Sequence, residues 1–392
     1  MAFIYCGSED CAKSELNLFQ IAPTQTSIEK SICIEVPPLS AITEASPLNF
    51  FIAGNSIDYM DLNNMLLYLC CKIIKGDGTT LAWDAVVGLV NYPMASIFSQ
   101  LDVTMGDRLI SESNNCYPYR AFIEAVLNYS DDTLAMQFSP GLFFKDTPGQ
   151  HEDTALDGKN LGVDVKIKLT HSKDAFCLMG DVAKGYNPHI VSASLFVKKV
   201  RVAPGVHLGH TEALLTTNAK YLVDRVEMKV FSIPAGSRVS NQENLFLGQL
   251  SKMLVLGFVD NDAFSGSYAK IPFHFKHYDI NFVALYVDGE QIPTKPLQLD
   301  FKAGRCMREY MNLVQMAGKH MKNHVLLNDR VEFAQGYTLF AFDLSPNQEC
   351  TNYYSLIKTG NLRAEKRFCE GFDGHRQYDR VCPDLSIFKW LP

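Results

Sequence analysis

No stretch of this sequence is long and apolar enough to cross a bilayer. The longest uncharged run, Ala85 to Leu101, is interrupted by Asn91, Pro93, Ser96, Ser99 and Gln100, and it falls short of the roughly 20 apolar residues that a membrane helix needs. No transmembrane helix is expected. The opening Met-Ala-Phe-Ile-Tyr-Cys-Gly-Ser-Glu-Asp has neither a basic start nor an apolar core, so no secretory signal is expected there. Clustered positive charge is also missing: the net charge is −7, and Lys and Arg are scattered along the chain. A grip on phosphates needs a basic tail or stripe, so no strong nucleic-acid footprint is expected. Common enzyme signatures are absent too. There is no Cys-x-x-Cys pair, Gly-x-x-x-x-Gly-Lys phosphate loop, Gly-x-Gly-x-x-Gly or Gly-x-Ser-x-Gly.

What is present is a chain of 392 residues, 47% apolar and 20% charged, a balance that buries sizeable cores rather than staying disordered. Its length calls for two domains. Aromatic residues make up 11%, led by 25 Phe and 17 Tyr, and flat rings favour pleated surfaces, so an all-β fold is expected. The 11 cysteines are an odd number at irregular spacings, which fits free thiols. Cys70 and Cys71 sit in the apolar run Met65 to Ile74 and read as core fillers. One sequon, Asn128-Tyr129-Ser130, carries little weight without an export route.

The first 46 residues are polar and turn-rich, an arm leading into the body. Short strand-like runs follow, each stopped by Gly, Pro, Asn or Asp. Val163 to Leu169 alternates strictly, with Asp164, Lys166 and Lys168 on one face, and Val226 to Val230 does the same; both read as half-buried strands. Leu195 to Val202 alternates if one extra residue at Lys198-Lys199 is taken up by a bulge. Asn281 to Val287 is apolar on both faces and reads as a core strand. Helical period is confined to short stretches, chiefly Tyr119 to Leu127, with Pro118 in its first turn, and Arg305 to Met316.

One local plan occurs twice. Leu101 to Ile110, a hairpin with Gly106 at its turn, precedes the helix of Arg120, Phe122 and Val126; Leu285 to Ile292, with Gly289, precedes that of Arg308, Tyr310 and Val314. The glycines lie 183 positions apart and the helix residues 188. A period of that size means whole domains rather than a solenoid, and two β-domains with a helix in one long connection fit jelly rolls better than immunoglobulin-type sandwiches.

Candidate chemistry is sparse. The pairs His207/His210, His274/His277 and His320/His324 include one at helical i,i+4 spacing, but no Glu follows its first His as a metalloprotease requires. Phe273, His274, Phe275, His277 and Tyr278 read as alternating sheet residues, Asp260 and Asp262 as a solvated turn between strands, and Lys198-Lys199-Val200-Arg201 as one exposed strand face. No catalytic, cofactor-binding or metal-binding residue is expected, and no enzyme.

Several segments resemble the double-jelly-roll major capsid protein of Maverick/Polinton-type viruses and adintoviruses, a family with homologues in animal genomes. They are Phe19 to Ile28, Asn115 to Phe122, Ser172 to Phe176, Gly257 to Phe264, Phe275 to Tyr278, Gly336 to Leu344 and Gly360 to Arg363. The resemblance implies an N-terminal arm (1–46) and two tandem eight-stranded jelly rolls (47–203 and 204–392) with short helices in the long connections. It further implies a homotrimer forming pseudo-hexagonal capsomers of an icosahedral shell, beside neighbouring capsomers and a single-jelly-roll penton protein, in a virion assembled in the host nucleus or cytoplasm. Two departures stand out. The segment between Gly149 and Leu161 is short, and after Lys366 no apolar closing strand is recognised, so a decayed or domesticated copy is the alternative. A β-sandwich carbohydrate-binding module is another.

Overall fold

The computed structural model describes residues 24–43, 47–55, 57–81, 87–111, 114–151, 178–180, 186–221, 225–246, 248–320, 326–345, 358–369 and 383–391. The strand expected at Val163 to Leu169, the short segment after His151 and the Ser172 to Phe176 match lie outside these residues. The chain divides into two compact units. The smaller takes its described residues from Met1–Pro37, Phe50–Tyr68 and Ser194–Lys220, and the larger holds the rest.

In the larger unit, strands β8 (Arg225–Ser232), β9 (Val239–Gln242), β10 (Met253–Asp260), β11 (Ile280–Val287), β12 (Glu290–Gln298), β13 (Leu339–Asp343), β14 (Leu362–Phe368) and β15 (Pro383–Leu391) pair as a nest. β11 joins β12, β10 joins β13, β9 joins β14 and β8 joins β15, all antiparallel. The nested ribbon folds into two four-stranded sheets, β13-β10-β15-β8 and β12-β11-β14-β9, the strand arrangement of a jelly roll. Leu254, Leu256, Phe258, Phe340 and Phe342 of the first sheet share one core with Val283, Leu285, Leu362 and Phe368 of the second. Phe258 and Phe368 meet edge to face, 6.3 Å between centroids.

β15 corrects the sequence reading, which found no closing strand after Lys366. Pro383 to Leu391 pairs on both sides, with β10 and β8, and so completes the second sandwich. Other strands follow expectation. β8 buries Val226 and Met228 while Lys229 is exposed, and β11, enclosed between β12 and β14, buries residues of both faces.

The strands before β8 nest in sequence the same way. β1 (Ile28–Val36) pairs with β7 (Tyr186–Val202), β3 (Val87–Leu89) with β6 (Leu178–Gly180), and β4 (Val103–Met105) with β5 (Arg108–Ser111); β2 (Asp58–Lys75) lies on the other side of β7. β1 falls within the stretch read as an arm, where Ile28, Ile32, Ile34 and Val36 are all of one parity. The bulge expected at Lys198-Lys199 is not there. Pairing with β1 runs unbroken through both lysines, and the irregularity lies at Glu29. The two lysines point to opposite faces, Lys198 to Asp61 at 3.3 Å and Lys199 to the Ala53 carbonyl at 3.0 Å.

Short helices fill the connections: α1 (Pro93–Ser96), α2 (Tyr117–Asn128), α3 (Asp131–Gln137), α4 (Pro204–Thr216), α5 (Asn261–Ser265), α6 (Met307–Met316) and α7 (Arg330–Ala334). The repeated plan is visible in them. Each hairpin turns on two positive-φ residues, Gly106-Asp107 and Asp288-Gly289, as a two-residue β-turn of this type requires. Each is followed by a helix entered from a buried cysteine, Cys116 or Cys306. Arg120 of α2 donates to the Ser111 hydroxyl of β5, and Arg308 of α6 to the Lys295 and Pro296 carbonyls of β12. In both copies an arginine ties the helix to the hairpin before it.

Candidate functional site

The residues singled out for chemistry are spread over different surroundings. His207 and His210 lie on α4, where His210 Nδ1 is 2.9 Å from the Tyr59 hydroxyl. His274 and His277 lie in the connection from α5 to β11, with Phe275 forming a single bridge to Tyr337 rather than part of a strand. Phe273 and Phe275 still point inward, so the alternation is real although the ladder is not. His277 stacks on Phe301, and burial holds its imidazole below the ordinary value. His324 lies outside the described residues. Among those described, no group of three or more His, Cys, Asp or Glu side chains is placed to hold a metal ion.

Of the two acids read as a solvated turn, Asp262 is exposed, in the first turn of α5 and 3.2 Å from Lys270, but Asp260 is not solvated. Asp260 ends β10 in the buried class and accepts from Lys276 at 2.7 Å and from the Tyr278 hydroxyl, with Lys270 at 3.5 Å. Burial pushes its carboxyl up, but the lysines and the tyrosine outweigh that and hold it below the usual carboxylate range. A paired buried carboxylate of this kind fixes geometry. Lys276 and Tyr278 come from one connection and Asp260 from another strand, so the network pins the α5–β11 connection to the sheet.

Around it the segments of the family resemblance converge. Phe122 of α2 stacks on Phe273 with centroids 4.4 Å apart and planes 1° from parallel, and Tyr119 faces Phe264, Phe273 and Phe275. Gly257 leaves room for this packing. A Cβ there would stand 2.8 Å from the Phe275 ring, which explains a glycine inside a strand. This cluster is apolar packing: Tyr119, Phe122, Phe273 and Phe275 are buried, with Phe264 partly so.

The smaller unit differs in kind. Among its described residues Val197 alone is fully enclosed. On one face alternation gathers Ile32, Ile34 and Val36 with Leu195 and Val197. Lys199 and Arg201 share that face, and in β2 Met60, Leu62 and Leu66 have the parity of Asp58, whose carboxylate is 2.9 Å from Arg201. Leu62 is 49% and Leu66 65% exposed. Helix α4 buries none of its residues and exposes Leu208, Leu214 and Leu215. Exposed apolar area of this extent marks an interaction surface, and sequence reading missed it because alternation shows which residues share a face, not whether anything covers it.

No family model matches the chain. The uncharacterised protein F54H12.2 of Caenorhabditis elegans is 23% identical over 382 residues, covering 88% of this chain and 91% of that protein. Among solved structures, a chain in the cryo-EM structure of the Sputnik virophage is similar at a TM-score of 0.60 and 11% identity, over 100% of this chain and 91% of that one. A chain of the PBCV-1 virus capsid is similar at 0.55 and 9% identity, over 95% of each. At such identities the likeness is one of fold. It establishes the all-β, double-jelly-roll architecture that the sequence led us to expect.

Proposed function

We propose that this chain is a non-enzymatic structural protein, a major-capsid-like subunit that assembles with copies of itself. The observation that carries the reading is the likeness of fold over nearly the whole chain to a virophage chain and to a virus capsid chain. The exposed apolar faces of the smaller unit support it, since such faces are stable in water only when covered. In finer detail the proposal has two jelly rolls, 47–203 and 204–392, behind an arm of residues 1–46. Three subunits form a pseudo-hexagonal capsomer of an icosahedral virion in the Maverick/Polinton line, with neighbouring capsomers and a single-jelly-roll penton protein as partners. Two similar halves repeated three times present six near-equivalent sides, which suits tiling.

The complete second sandwich weakens the decayed-copy reading, because the closing strand whose loss favoured it is present. Light scattering on the purified full-length protein tests the proposal. The expected result is a stable particle of three times 43.9 kDa. A strict monomer at micromolar concentration would overturn self-assembly and favour a domesticated host protein or a carbohydrate-binding module.

A further inference from the structure

The three-stranded sheet of the smaller unit is apolar on one side and carries a helix on the other. Alternation puts Met60, Leu62 and Leu66 of β2 on the side of Ile32 and Val197, and Tyr59 on the opposite side. The Tyr59 hydroxyl is 2.9 Å from His210 Nδ1 and the two rings meet edge to face at 5.7 Å, so α4 is tied to the Tyr59 side. At about 100° per residue, Leu208 and Leu215 leave the helix almost in line with each other and nearly opposite His210. Leu208 is 60% and Leu215 84% exposed. The pair points away from the sheet.

Neither surface is finished within one copy. α4 buries none of its 13 residues, has no side-chain cap and includes Gly205 and Gly209, and a short helix of that make-up is marginal in water. Across the sheet, Ile32, Met60, Leu62 and Leu66 are between 37% and 65% exposed. The charges of the unit are satisfied inside it. Asp58 pairs with Arg201 and Asp61 with Lys198, acidic and basic residues balance among the described residues, and Glu212 is the one charged residue of α4. A lipid headgroup or a nucleic acid would need a basic excess. An uncharged apolar protein face is the cover that fits.

We propose that α4 of one copy packs on the apolar sheet face of the next, a head-to-tail contact that closes copies into a ring. This rests on the reading of the chain as self-assembling, and names the surfaces that assembly uses. Leu208 and Leu215 stand about 11 Å apart along the helix and Leu62 and Leu66 about 13 Å apart along the strand, so one leucine pair meets the other. Pairing two sheets face to face leaves both helices uncovered. The head-to-tail contact covers helix and sheet together and, because they lie on opposite sides of one sheet, repeats from copy to copy until the ring closes. The exposed parts of Leu208, Leu215, Ile32, Met60, Leu62 and Leu66 come to roughly 500 Å² of apolar area. Interfaces are a little over half apolar, so the contact buries about 900 Å² in all, close to the ~1,000 Å² at which specific interfaces begin.

Light scattering over a concentration series of the full chain tests this with two single variants, Leu215→Glu on the helix and Leu66→Glu on the sheet. Both positions are exposed, and an unchanged near-ultraviolet spectrum checks that each variant folds. Each alone is expected to raise the apparent dissociation constant at least tenfold. An equimolar mixture, in which the intact helix of one variant meets the intact face of the other, is expected to recover a particle of twice 43.9 kDa where each alone is monomeric. Should either variant fail to fold, Leu208→Glu and Leu62→Glu take their places. A wild type that assembles while either variant assembles equally well, or a mixture that stays monomeric, overturns the head-to-tail contact and leaves self-assembly standing. A monomeric wild type overturns both.

Discussion

At the scale of single residues, burial sets the behaviour of Lys366. It belongs to β14 between Val283 of β11 and Ser240 of β9, is fully enclosed, and its Nζ has no hydrogen-bond partner among the described residues. Burial alone lowers its amine from 10.5 to about 7. Above that value the folded chain carries the neutral amine while the unfolded chain stays protonated up to its ordinary 10.5, so the unfolded state binds the extra proton and stability rises with pH across this window. The cost is full below pH 7 and gone above 10.5. Lys366→Met should therefore raise stability by roughly 4 kcal/mol at pH 7 and below, with the gain shrinking towards zero as pH approaches 10.5. Urea midpoints of both forms, measured at one-unit steps between pH 6 and 10, check this; a pH-independent difference would sink the assignment. Lys366 stands in the inward row Leu362, Ala364, Lys366, Phe368, an alternation that the sequence reading passed over. That no carboxylate among the described residues bonds to the amine is shown by the structure alone.

At the scale of elements, the helix α2 is held by its aromatic face and the second sandwich by its last strand. Phe122 is 1% exposed against Phe273 and Phe275, so Phe122→Ala should cost about 3–5 kcal/mol, as large-to-small core changes do. Thermal unfolding checks it, and a change below 1 kcal/mol would mean that the stack contributes little. Removing residues after 382 takes β15 from between β10 and β8 and leaves two strands with unpaired edges in the middle of a sheet. The expected outcome is an insoluble or molten chain by near-ultraviolet circular dichroism; a cooperative transition like that of the full chain would show β15 to be dispensable. Elements with strict alternation or an N-terminal proline were readable from their own residues, as at Val226–Val230 and around Pro118. Elements defined by a partner were not: β15 is a strand by virtue of β10 and β8, and the stretch from Ile271 to Asp279 alternates without a ladder because Phe275 forms an isolated bridge to Tyr337 rather than a run of pairs.

At the scale of the whole molecule, the question is what covers the smaller unit. If copies of this chain cover it, a charge on its apolar face should weaken association without touching the second sandwich, whose core shares none of those residues. Leu66→Glu combined with Leu215→Glu should shift light scattering towards monomer by at least tenfold in apparent dissociation constant, with the near-ultraviolet spectrum unchanged. An unaltered oligomer would place the contacts elsewhere.

The sequence by itself determined the class of the fold. The shortage of helical period, the aromatic and β-branched runs stopped by turn residues, and the hairpin-and-helix plan repeated about 185 positions apart all state local preferences that a chain carries wherever it is placed. Tertiary structure alone decided how Asp260 came to be a buried partner of Lys276 and Tyr278 rather than a solvated turn, why Lys198 and Lys199 need no bulge, and how β15 closes the sandwich. Each of these depends on residues far apart in the chain meeting at one place, and distance along a sequence carries no record of such meetings.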